Sequence, residues 1–173
     1  MAPQPSSGGR GGGGDARPAA PAAQAINLAA GAPKTYDPYK RPGAEFGPAG
    51  NAADDDPETV WDVTVPADGE SLRVGLVVDL GAAYSLDSLK IRTPTPGYDI
   101  ELYGAEGKSV PDDILDKRWE HLTDPKNVAD GRVVDLKGRS DKKLRLVVLW
   151  FTQPKDAADP RVALGEVSFR GTK

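Results

Sequence analysis

No cysteine occurs among the 173 residues, which excludes disulfides, thiolate metal centres and cysteine nucleophiles while leaving the redox compartment open. Histidine is almost as scarce. The single His121 follows Glu120 in a strand-like segment and has no second histidine nearby, so it is expected on a strand surface rather than in a metal site or nucleophile pair. Aromatic residues make up only 6% of the chain. No apolar run approaches the roughly 18 residues of a membrane helix, so no direct membrane insertion is expected. The N-terminus lacks the basic patch and apolar run of a secretory signal. Cationic excess is missing too: 22 basic against 26 acidic side chains give a formal charge of −4 and a pI near 5.1. Nucleic acid is therefore not an expected partner.

What is present suffices for one hydrophobic core, since 38% of the chain is apolar. Residues 1–24 (MAPQPSSGGRGGGGDARPAAPAAQ) are two-thirds Gly, Ala and Pro and hold no aromatic or branched aliphatic side chain. Such a segment cannot bury enough surface to offset its ordering entropy, so a disordered linker over 1–24 and one folded domain over 25–173 are expected. The linker reads as a spacer to another anchoring element, or as a plain terminal tail. Because Met1 opens on linker-like sequence, the chain reads as a fragment.

From Ala25 onward, short apolar runs alternate with Gly, Pro, Asp and Asn, a spacing too tight for helices of ordinary length. Strands are predicted near 26–29, 61–65, 74–80, 86–92, 98–103, 119–122, 132–136, 143–151 and 162–170. The fold class is all-β, an antiparallel β-sandwich. Tyr98–Tyr103 alternates with period two, whereas Leu144–Phe151 (LRLVVLWF) is nearly all apolar and should be covered on both faces. One short helix is predicted at Pro111–Arg118, where Pro111 stands near the start and Asp112 and Asp113 complement the dipole.

Three stretches carry more than periodicity: Ala53-Asp54-Asp55-Asp56-Pro57-Glu58-Thr59-Val60-Trp61, Val77-Val78-Asp79-Leu80-Gly81, and Ala163-Leu164-Gly165-Glu166-Val167-Ser168-Phe169. Together they resemble the discoidin or coagulation-factor-5/8 type C family, a galactose-binding-like jelly roll, over 25–173. That family's Asp-Gly-Asp-x-x-Thr-x-Trp motif is matched at Asp54, Asp56, Thr59 and Trp61, with Asp55 in place of Gly. Asp is among the residues that best tolerate left-handed backbone. Tyr36-Asp37-Pro38, Gly75–Gly81, Tyr98–Tyr103 and Leu149-Trp150-Phe151-Thr152 further resemble the extracytoplasmic C-terminal domain of actinobacterial MviN-type lipid II flippases and of membrane-anchored Ser/Thr kinases. The likeness implies an extracytoplasmic domain tethered through its linker.

Three consecutive carboxylates before Pro57 suit calcium, which takes oxygen ligands, or simply form a solvated acidic turn. An EF-hand is excluded, because Pro57 and Glu58 occupy positions where that loop needs a ligand and a glycine. The family resemblance implies a structural Ca2+ held by the Asn51 carbonyl, the Asp54 side chain, the Asp56 carbonyl, Thr59 and the Glu166 side chain. Glu166 stands between Leu164 and Val167, where a buried carboxylate needs a metal or an arginine unless it lies exposed at an edge.

No enzyme signature stands up, and a non-catalytic domain is expected. Gly104-Ala105-Glu106-Gly107-Lys108-Ser109 is too short before its Gly-Lys-Ser for a phosphate loop and reads as a turn. Trp61 and Trp150 are assigned to the core. Tyr36, Tyr39, Phe46 and Trp119 are the nominated ligand-binding aromatics, the alternative being that they pin their loop to the sandwich. The functional expectation is a monomeric, extracytoplasmic module contacting cell-envelope glycan or an envelope protein. A structural or regulatory domain of an attached transporter or kinase is the alternative, and a carbohydrate hydrolase a minor one.

Overall fold

A computed structural model describes residues 22–66, 71–153 and 161–173, so residues 1–21 of the expected linker lie outside the described residues. The strands are β1 (Gln24–Ala25), β2 (Pro33–Tyr36), β3 (Glu45–Phe46), β4 (Trp61–Thr64), β5 (Val74–Arg92), β6 (Asp99–Ala105), β7 (Glu120–Asn127), β8 (Arg132–Asp135), β9 (Leu144–Gln153), β10 (Arg161–Leu164) and β11 (Glu166–Thr172). All their pairings are antiparallel. The front half of β5 lies between β2 and β9, and the sheet continues through β6 to β7. Its rear half lies between β11 and β8, with β1 on the outer side of β11. A second sheet, β10-β4-β3, closes the sandwich.

Two expected strands, 74–80 and 86–92, are thus one. The register shifts between Asp79 and Tyr84, and Gly81 takes a φ of 82°, a value open to glycine at little cost. The bend is absorbed as a bulge, and the strand passes between the two halves of its sheet without a loop. Conversely, the expected strand 162–170 is split. Gly165 sits so close to the Pro57 carbonyl that an added Cβ would lie 2.9 Å from it. Here the chain leaves β4 and joins β5.

The nearly continuous apolar run of β9 is explained by two cores. Val147, Leu149 and Phe151 face the main core, which they share with Trp61, Val63 and Leu164 of the opposing sheet and Phe169 of their own. Leu146, Val148 and Trp150 face outward into a second cluster with Tyr36, Val77, Ile114 and Trp119. Strand β7 carries Pro125 and lies at the sheet edge, where the missing N–H is tolerated.

The helix predicted at Pro111–Arg118 is not formed. Asp113 Oδ1 accepts the Leu115 N–H and Asp116 Oδ1 accepts the Arg118 N–H, both at 2.9 Å, so Asp113, one of the two carboxylates expected to favour a helix, instead caps a turn, and Asp116 caps the next. The segment is drawn down by Ile114 and Trp119, both buried, while Leu115 is left 84% exposed. The helical turn in this fold is a 3-10 helix at Ala49–Ala53.

Candidate functional site

The 3-10 helix delivers the chain into the acidic loop. Asp54 Oδ1 accepts the Asp56 N–H and Asp56 Oδ1 accepts the Glu58 N–H, each at 3.0 Å, which forms two successive side-chain turns. Asp55 between them has a φ of 63°, the left-handed geometry for which the family motif uses glycine. Thr59 Oγ1 lies 2.5 Å from Asp54 Oδ2 and 2.9 Å from the Asp56 carbonyl, so three oxygens converge. Asn51 ties the helix to the end of the acidic loop by donating its side-chain N–H to the carbonyl of Val60, the residue before β4, at 3.0 Å.

Glu166 opens β11 rather than standing mid-strand. Arg92 is its cross-strand neighbour but donates to Asp130 at 3.1 Å instead. Although the residue as a whole is part-exposed, its Oε2 is shielded from solvent and has no hydrogen-bond partner. Burial, and then the charges of Asp55 and Asp54, push its carboxyl up to about 7. Glu166 and Asp55 share the wall of a cleft of about 310 Å³.

This donor set is all oxygen and includes one shielded, unpartnered carboxylate oxygen, Glu166 Oε2, beside an acidic loop, which fits a hard cation. Asp54 and Glu166 would hold calcium together with the Thr59 hydroxyl and backbone carbonyls, and the ion would clamp the loop onto β11. Among the described residues no three His, Cys, Asp or Glu side chains cluster at metal-binding spacing. The proposed set contains only two carboxylates.

The nominated aromatics do not form one face. Tyr36 is 5% exposed, and its hydroxyl donates to the Pro111 carbonyl at 2.6 Å while accepting from Trp119 Nε1 at 3.2 Å. Its ring is edge-on to both Trp119 and Trp150. Burial raises its phenol above the ordinary range. The exposure expected of Tyr36 and Trp119 is therefore absent, because both seal the outer cluster under the 106–119 loop. Phe46 lies in the other sheet, half-buried against the main core. Tyr39 keeps 42% exposure, with its hydroxyl on Asp113 Oδ1 at 2.8 Å.

Sequence reasoning missed a second cleft, of about 260 Å³, above the β5 bulge. Val77 and Leu146 form part of its floor, and Lys34, Asp79, Lys108 and Arg145 supply its charged groups. Arg145 holds Asp79 through Nε at 2.8 Å and through a second guanidinium N–H at 3.3 Å, and Asp79 also accepts the Gly81 N–H at 2.8 Å. Those hydrogen bonds, with Arg145 foremost, hold the Asp79 carboxyl below its usual range. Lys108 belongs to the Gly-Lys-Ser stretch read as a turn. No local signal joins it to Lys34, because β2 reaches this place only by pairing with β5. His121 is exposed on β7, its Nε2 3.3 Å from Glu101 Oε2.

No protein-family model matches the sequence, and no curated protein is similar to it. Solved structures do share its fold. Chitosan-binding module 1 of a chitosanase/glucanase from Paenibacillus sp. IK-5 aligns over 87% of this chain and 100% of its own, at 13% identity and a TM-score of 0.59. An F5/8 type C domain from Bacteroides fragilis aligns over 87% and 97%, at 9% identity and a TM-score of 0.57. A family 89 glycoside hydrolase from Clostridium perfringens aligns over 86% of this chain at 18% identity and a TM-score of 0.57, but the chain spans only 15% of that enzyme's length. The architecture is an antiparallel sandwich of the galactose-binding-like type.

Proposed function

We propose that the domain is a non-catalytic, glycan-binding module of the cell envelope. The observation that supports it is one of extent: the chain matches a binding module along that module's whole length, whereas it covers a small part of the hydrolase. The resemblance to MviN-type flippases and anchored kinases extends this reading to an extracytoplasmic, monomeric domain, tethered through the segment that precedes β1 at Gln24. Calcium at Asp54, Thr59 and Glu166 is the structural ion of this reading, and Tyr39 is the nominated aromatic left free enough to meet a ligand.

The test is a glycan array probed with the full chain, including chitosan, galactosides, acidic oligosaccharides and envelope glycan strands. Reproducible binding to a saccharide class is the expected result, and an array without binding would overturn the reading. The burial of Tyr36 and Trp119 favours one alternative, a positioning domain without a ligand, because it removes two of the four nominated aromatics from solvent.

A further inference from the structure

The chain is acidic overall, yet three of the four charged groups at the cleft above the β5 bulge are cationic. Asp79 is satisfied by Arg145, so that pair is neutral as a unit. Lys34 and Lys108 are left over. Both side chains are exposed and neither forms a hydrogen bond or ion pair among the described residues, although Lys34 lies near enough to Asp79 to help lower its carboxyl, so the cleft holds two more positive than negative groups beside its apolar lining. A few polar groups converging over an apolar surface are the usual make-up of a small-ligand site. At about 260 Å³ the cleft falls below the roughly 300–1,000 Å³ typical of drug-sized ligands, and it suits a single sugar unit.

We infer that this cleft binds an acidic saccharide through one carboxylate, with Lys34 and Lys108 taking the anion and Asp79 taking a neighbouring sugar hydroxyl. This rests on the glycan-binding reading above and specifies the ligand class. The carboxylate of Asp79 has about four acceptor positions, of which Arg145 and Gly81 occupy three. One remains for a hydroxyl donor. Although its charge is balanced overall by Arg145, the Asp79 carboxylate itself lines the cleft, and at short range it opposes a phosphate dianion more strongly than a carboxylate. The fork of Arg145, suited to bidentate binding of carboxylate or phosphate alike, is already committed to Asp79, which leaves the two lysines to take the ligand's anion. Val110, 37% exposed on the cleft wall, offers an apolar face on which a sugar's C–H surface rests.

The experiment is an amide-resonance titration of the full chain with methyl glucuronide, methyl glucoside and glucose phosphate, repeated on a Lys34→Gln/Lys108→Gln variant. Both lysines are exposed, so the variant should melt with the parent. The glucuronide should bind at least tenfold more tightly than the glucoside, with shifts gathered at Gly31–Lys34, Asp79–Gly81, Gly107–Val110 and Arg145–Leu146. That preference should vanish in the variant and weaken as salt is raised. Equal binding of glucoside and glucuronide, a variant that keeps the preference, or shifts centred elsewhere would overturn this inference while leaving glycan binding in place. Tighter binding of the sugar phosphate would overturn the carboxylate assignment. A blank titration together with a blank array would overturn both readings.

Discussion

The indole of Trp61 lies stacked on the ring of Phe151, with centroids 5.6 Å apart and planes inclined by 30°, and so joins β4 to β9 across the main core. Trp61 has no exposed surface, and its Nε1 donates to Thr35 Oγ1 at 2.9 Å, which holds β2 in the same assembly. Trp61→Ala should cost about 3–5 kcal/mol, a large share of the roughly 5–15 kcal/mol available to a domain. Urea unfolding monitored by circular dichroism is the check, and a midpoint close to that of the parent protein would refute the assignment.

Tyr36→Phe keeps the ring and deletes the hydroxyl that serves both Pro111 and Trp119. Leaving these buried groups unpaired should cost about 1–3 kcal/mol. Hydrogen exchange should quicken across 111–119, where the loop is pinned. Tyr39→Phe loses only a more exposed contact with Asp113 and should cost under about 1 kcal/mol. Equal effects from the two substitutions would show that burial does not separate them.

Glu166 links the acidic loop to pH. Its carboxyl is pushed up to about 7 by burial and by Asp55 and Asp54, whereas in the unfolded chain it should titrate near about 4.3. A carboxyl raised on folding leaves stability intact at low pH and removes it as pH climbs from the lower value toward the higher, because the unfolded chain ionises first. Without calcium, the melting temperature should therefore fall between about pH 5 and pH 7. Glu166→Gln should flatten that slope. Calcium should restore the parent protein near neutrality and do little for the variant. Identical curves with chelator and with calcium, together with no metal by elemental analysis, would remove the metal from this site.

The Asp79–Arg145 pair acts in the opposite sense. Asp79 is held below its ordinary range, so its contribution is present above the unfolded value of about 3.9 and disappears as pH falls through the lower folded value. Solvent reaches both side chains, which limits the coupling to about 1 kcal/mol or less. A double-mutant cycle with Asp79→Asn and Arg145→Gln should return that coupling at pH 7 and none at pH 2. Equal coupling at both pH values would mean that the link is not ionic.

Much of this architecture was legible because it is written locally. Alternation from Tyr98 to Tyr103 marked β6, and the nearly continuous apolar run, broken only by Arg145, marked β9 as covered on both faces. Trp61, which closes the Asp54–Trp61 motif, was assigned to the core and is fully buried there. Other features depended on partners distant in sequence. Strand β2 is four residues long and begins at Pro33, so it has little periodicity to read, and β3 is only a pair of residues. The 111–118 segment presents a proline followed by acidic side chains, yet backbone capping by Asp113 and Asp116 prevails over helix formation. At the sites, the acidic loop and Glu166 could be joined through a family resemblance. Lys34, Asp79, Lys108 and Arg145 could not, because sheet register alone assembles them.

One strand, β5, borders β2, β8, β9 and β11, which come from both ends and the middle of the chain. None of these neighbours can complete its pairing until β5 is in place, so the order of assembly is constrained before any site exists. Such dependence on distant segments favours slow, all-or-none folding, with the closure of long loops completed before the contacts they permit. The bend at Gly81 is therefore a kinetic weak point: a substitution that disfavours its positive φ, or an insertion that lengthens it, would delay the whole domain at once rather than loosen one corner of it.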